Sequence, residues 1–152
     1  MSLVFNVRYP GRVIALYLQG CGPGYRSNKS RAAWNERAEA RAQSLDDGGL
    51  DALGGASEVK KSIQNTATGL AHAARGIMSQ VDARVINSLP EISVPTLVLV
   101  GENDTPYLTG SDYMTSHISG SINVRVDDAA HGVNIDQPEE VNKALADFLA
   151  GL

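Results

Sequence analysis

The sequence predicts an α/β fold of about three parallel strands with flanking helices, joined by a separate helical segment. Three runs carry this expectation. Val13-Ile14-Ala15-Leu16-Tyr17-Leu18 is nearly all apolar and is closed by Gly20, Gly22, Pro23 and Gly24. Thr96-Leu97-Val98-Leu99-Val100 is a β-branched apolar run ended by Gly101, and Ile122-Asn123-Val124-Arg125-Val126 alternates between apolar and polar. Helix-patterned sequence lies between and after them, and strands joined by helical crossovers pair in parallel.

Ser2 to Tyr9 carries Leu3, Val4, Val7 and, more loosely, Phe5 on one side, which predicts a short helix ended by Pro10-Gly11. At its length, the run from Val13 to Leu18 predicts a strand buried on both faces. From Ser30 to Leu45 the chain turns to Arg, Glu and Ala, and Trp34, Ala38, Arg41 or Ala42, and Leu45 form one thin apolar stripe of a helix stopped by Asp46-Asp47-Gly48-Gly49. After Gly54-Gly55, Ser57 is expected to cap a helix carrying Val59, Ile63, Ala67, Leu70 and Ala74. Gly76 breaks or bends that helix, and Ile77, Met78, Val81 and Val85 continue a helical pattern. The strand at Thr96 is introduced by Val94-Pro95 and followed by a polar helix over Tyr107 to His117. The strand at Ile122 is expected nearer a sheet edge, with one wetter face. A last helix, with Val141, Leu145, Phe148 and Leu149 as its buried stripe, begins at Asp136 and Pro138-Glu139, where Asp136 and Glu139 have capping-box spacing. The expected division is 1–25 for the first helix end and strand, 26–88 for the helical segment, and 89–152 for the remaining strands and helices.

Composition narrows the function classes. With 152 residues, 43% hydrophobic and 20% charged, the chain has enough apolar material for one core. A net charge of -4 and scattered Lys and Arg argue against a nucleic-acid partner. No run approaches the roughly 18 apolar residues of a membrane span, and no signal-peptide pattern opens the chain. The single cysteine cannot form an internal disulfide, and three His with one Cys at irregular spacing make no zinc pattern. A soluble, cytoplasmic protein without metal or cofactor is expected.

In parallel sheets reactive loops sit at the carboxyl ends of strands. Two such loops hold titratable chemistry: Gly101-Glu102-Asn103-Asp104-Thr105-Pro106 and Asp127-Asp128-Ala129-Ala130-His131-Gly132. An acid and a histidine on neighbouring strand ends can hydrogen-bond each other. Taken singly, Asp104 reads equally as a helix cap and His131 as an ordinary loop histidine.

Several of these motifs, in order over nearly the whole chain, resemble the α/β-hydrolase superfamily. Val94-Pro95-Thr96-Leu97-Val98-Leu99-Val100-Gly101-Glu102-Asn103-Asp104 resembles the strand and loop of the triad acid. Asp128-Ala129-Ala130-His131 with Gln137-Pro138-Glu139-Glu140-Val141 resembles the base loop and last helix, and Arg8-Tyr9-Pro10-Gly11-Arg12-Val13 resembles the end of the helix after the nucleophile elbow. The resemblance implies an incomplete α/β-hydrolase fold with Asp104 as acid, His131 as base and the helical segment as the cap that shapes substrate choice. Ala130 stands where the family usually has Gly, which is expected to raise the backbone demands of the base loop.

The elbow motif G-x-S-x-G occurs nowhere in the sequence, and no His-Gly segment of the kind that supplies an oxyanion donor precedes the first strand. By this alignment the first five strands, the nucleophile and the oxyanion hole are missing. The function implied is that of the C-terminal portion of a hydrolase acting on a small ester, lactone or related bond, inactive by itself. The alternative is a non-catalytic truncated homologue serving as a binding or self-assembling module. Either way, the edge of the strand at Val13 to Leu18 would be open to a second copy or to a complementing chain.

Other polar residues have simpler readings. Cys21 follows a strand between Gly20 and Gly22, but Gln19 and Pro23 occupy the outer positions of the elbow pattern, so a packed or loop thiol is expected. Ser111, Ser116 and Ser119 are expected to be solvent-exposed. The Gly20 to Gly24 turn lacks the phosphate-binding patterns. His72 and His117 lie in helical patterns, and Trp34 in the apolar stripe of its helix.

Overall fold

The structure, a computed structural model, describes all residues except 57, 60–62, 64 and 65. In chain order its elements are α1 (Ser2–Arg8), β1 (Leu16–Gln19), α2 (Asn28–Gly48), α3 (Ala67–Ala73), α4 (Arg84–Ser88), β2 (Thr96–Gly101), α5 (Thr105–His117), β3 (Ile122–Val126), α6 (Val133–Asp136) and α7 (Pro138–Ala150). Two compact units result: Met1–Pro23 with Arg84–Leu152, and Gly24–Ala83.

In the first unit the strands form one sheet, ordered β1-β2-β3 and parallel throughout, with Leu18 level with Val98 and Val98 level with Asn123. β2 is central and all six of its residues are buried, as expected for a strand with neighbours on both sides and helices on both faces. Leu99 and Val126 join Ala129, Val133 of α6 and Val141 of α7 in one apolar cluster, against which Tyr17 and Val124 also pack. Because side chains alternate across a strand, Val98 and Val100 point to the opposite face, where α5 packs on β2 and β3. α1 packs on β1 and α4.

Several expectations need correction here. The first strand is shorter than the run Val13 to Leu18: it spans Leu16–Gln19, and Ile14 is 85% exposed. It is not buried on both faces, since Leu16 and Leu18 are buried while Tyr17 and Gln19 are only half-buried. The reason is its edge position, which leaves it one strand neighbour. In α1, Leu3 and Asn6 face inward at i, i+3, and Val4 and Phe5 are about half exposed. Asp136 does not cap α7. Gln137 occupies that position without a side-chain cap bond, and Asp136 instead closes the short helix α6. Leu149 is exposed, so the inner face of α7 consists of Val141 and Phe148 with the half-buried Ala144 and Leu145. Ser111 is not exposed but fully buried with Met114 on the inner stripe of α5, and its Oγ finds no hydrogen-bond partner among the described residues.

In the second unit α2 begins at a capped end, where Ser30 N–H donates to the Ser27 hydroxyl at 3.3 Å, and it buries Ala38, Ala42 and Leu45. These pack with Ala71 and Ala74. The remaining ties are polar: Trp34 Nε1–H donates to the Met78 carbonyl at 2.7 Å, and Arg75 bridges Glu39 at 2.8 Å and Asp46 at 2.9 Å. The expected cap Ser57 lies outside the described residues. Ile63 is 95% exposed and outside any helix, so it does not continue a buried stripe. At Gly76 the helix widens into a π turn, Ala74–Met78. The expected continuation through Val81 fails: that residue is 90% exposed in a non-helical stretch, and helix resumes only at Arg84. Among the described residues no helix is long and apolar enough to cross a membrane.

Candidate active site

β2 and β3 run parallel and adjacent, so the loops after them emerge side by side. Their backbones are then locked together: Glu102 N–H donates to the Val126 carbonyl at 2.9 Å, and Asn103 N–H to the Ala129 carbonyl at 2.9 Å. Gly101 makes this approach possible. A Cβ there would collide with the carbonyl oxygens of Ala129 and Ala130, so any larger residue would push the loops apart.

Asp104 occupies the N-cap position of α5, yet its side chain makes no cap hydrogen bond. The carboxylate turns the other way and accepts from His131 Nδ1–H at 2.9 Å across 27 positions of sequence. The pair is asymmetric in burial: the Asp104 side chain is 4% exposed and the His131 side chain 45%. A carboxylate that only accepts places the imidazole proton on Nδ1 and leaves Nε2 with its lone pair. Such a group can take a proton from a hydroxyl brought to it.

Three neighbours surround this couple. Tyr107, in the first turn of α5, stacks on the His131 ring with centroids 4.8 Å apart and planes 26° from parallel. Gly20, at the end of β1 with φ +50°, meets the imidazole, since a Cβ on it would lie 3.4 Å from both Cε1 and Nδ1. Asp136 holds the base loop by accepting from Ala130 N–H at 2.9 Å. The loop takes up its backbone demand at Asp128, the one non-glycine with positive φ (+53°) among the described residues, and not at Ala130 as expected. Asp tolerates that conformation better than most residues because its short polar side chain can bond locally.

The remaining candidates lie apart from this chemistry. Burial pushes the Cys21 thiol up, which keeps it protonated near neutral pH, the opposite of what a thiolate nucleophile requires. His117 stacks on Tyr113 at 3.9 Å and interacts with the Tyr113 carbonyl, a local helix-end arrangement. His72 is exposed in α3, and Ser116 and Ser119 are exposed. Among the described residues no three potential metal ligands converge. A groove of about 740 Å³ lies elsewhere, between the β3 side of the sheet and α7, lined by Leu97, Val124, Asp128, Lys143 and Phe148 among others.

No family model matches the chain. Among curated proteins, 3-oxoadipate enol-lactonase 1 of Acinetobacter baylyi is 28% identical over 147 residues, covering 83% of this chain and 54% of the relative. A putative 2-succinyl-6-hydroxy-2,4-cyclohexadiene-1-carboxylate synthase of Bacillus subtilis is 25% identical, covering 100% of this chain and 62% of the relative. Among solved structures, MenH from S. aureus superposes with a TM-score of 0.78 at 21% identity, over 91% of this chain and 59% of that one. The chain thus spans between about half and three-fifths of the length of the proteins it matches.

Proposed function

We propose, from the premise that this chain has a partial α/β-hydrolase fold corresponding to the C-terminal part of such proteins, that it contributes the acid Asp104 and the base His131 to hydrolysis of a small ester, lactone or related bond. The observation that carries this reading is the 2.9 Å bond between a buried carboxylate and a half-exposed imidazole on adjacent strand ends. In the mechanism, His131 Nε2 removes the proton of an attacking hydroxyl. Asp104 holds the Nδ1–H tautomer and stabilises the imidazolium that forms. The serine comes from outside these 152 residues, whose sequence holds no G-x-S-x-G. The helical segment, residues 26–88, takes the role of the family's cap and shapes substrate choice. We place the protein in the cytoplasm, where a single cysteine stays reduced.

Removing the serine of a serine protease lowers turnover about a million-fold, so the chain by itself should hydrolyse p-nitrophenyl esters no faster than buffer. Turnover that disappears in His131→Ala would keep the base but overturn the missing nucleophile. Turnover unchanged in His131→Ala would overturn the base. The second reading, a non-catalytic assembly module with the couple as a relic, is favoured by one observation: among the described residues β1, like β3, has a strand neighbour on one side only.

A further inference from the structure

Among the described residues the imidazole of His131 has one hydrogen bond to define it, from Nδ1 to Asp104. One bond selects between the two flips of the ring but leaves its plane free to swing, because the His χ2 torsion is broad and two-fold. The plane is defined by something else. Tyr107 lies over the ring, 4.8 Å between centroids and 26° between planes. It follows Asp104 by three residues in the same helical turn, where Tyr107 N–H donates to the Asp104 carbonyl at 2.9 Å and Pro106 stiffens the chain between them. One short backbone segment therefore carries both the carboxylate that fixes the tautomer and the ring that fixes the plane. A side chain at Gly20 would come within 3.4 Å of Cε1 and Nδ1, so the glycine leaves that flank of the ring uncovered.

We propose that Tyr107 is a positioning residue for His131: its ring, and not its hydroxyl, sets the plane of the imidazole and so the direction in which Nε2 points. This rests on reading His131 as the base. Stacked aromatic contacts of this geometry favour offset, near-parallel rings and add to burial. An imidazolium gains further from the electron-rich face beneath it.

The test is NMR of the whole chain, unmutated and as Tyr107→Phe, Tyr107→Leu and Asp104→Asn. In the unmutated chain, cross-relaxation between the Tyr107 and His131 ring protons and an upfield ring-current shift of the His131 carbon-bound protons are expected; their absence overturns the proposal without any variant having to fold. The low-field Nδ1–H proton of His131 should persist in Tyr107→Phe and broaden beyond detection in Tyr107→Leu, as the freed ring exchanges with water. A signal as sharp in Tyr107→Leu as in the unmutated chain, or one lost in Tyr107→Phe, overturns it. Asp104→Asn separates the two readings: a low-field signal that survives there refutes the Asp104–His131 couple, while the ring–ring contact still reports on Tyr107.

Discussion

Asp104 and His131 differ in burial by an order of magnitude, a difference that fits the roles proposed for them. A nearly sealed carboxylate with a hydrogen-bond donor facing it is an orienting group, whereas a half-exposed imidazole can meet a reactant. Gly101 is the residue on which their meeting depends, because a side chain there would run into the Ala129 and Ala130 carbonyl oxygens of the neighbouring loop. Gly101→Ala should therefore cost about 1–3 kcal/mol, as overpacking does, read as a lower urea midpoint at unchanged slope. It should also weaken the low-field His131 signal; an alanine accepted at no cost would mean that the loops do not close as described. Asp104 and His131 stand out in the sequence because each lies in a polar loop just after a strand run, and the structure brings their side chains together. Tyr107, Gly101 and Asp136 do not, because their roles lie in contacts between loops that are distant in sequence. Tyr107 did carry one signal, an aromatic at i+3 from the acid in a first helical turn. Ser111 was misread for a related reason: nothing in its local pattern shows that the buried face of α5 passes through it.

At the level of elements, α2 is held by a capped end and a narrow apolar stripe. α2 buries little more than Ala38, Ala42 and Leu45, so its N-terminal bond from Ser30 N–H to the Ser27 hydroxyl counts for more than it would in a helix with a broad apolar face. Ser27→Ala should lower stability by about 0.5–2 kcal/mol, and Ser27→Asp should restore most of it, both read as thermal or urea midpoints. The same narrowness explains where periodicity misled. Strand runs closed by turn residues give a strong pattern, and β2 and β3 fall within a residue of their expected bounds. Ile63 and Val81 stand at helical spacing, yet both are exposed, because isolated apolar residues match a period without having anything to pack against. At β1 the run was apolar for six residues but only Leu16, Tyr17 and Leu18 of it are paired, since pairing needs a neighbour and β2 begins level with Leu16.

For the molecule as a whole, the sheet has two outer edges among the described residues, that of the more exposed β3 and that of the less exposed β1. Leu16 N–H and Gly20 N–H donate to Pro95 and Leu99 carbonyls, so the even-numbered amides of this strand face β2 and those of Tyr17 and Gln19 face away. We propose that a second copy pairs there, two-fold symmetric and hence antiparallel at the join. With four residues per strand, about four new backbone bonds would contribute roughly 2–6 kcal/mol. Association costs an estimated 4–15 kcal/mol, so the edge alone does not hold a dimer, and the half-buried Tyr17 must add apolar contact. A weak dimer that dissociates on dilution is expected in sedimentation. Gln19→Pro removes an outward donor without breaking the ladder to β2, and should yield a monomer with unchanged circular dichroism. A monomer at every concentration would discard edge pairing, and a dimer indifferent to Gln19→Pro would place the contact elsewhere on the chain.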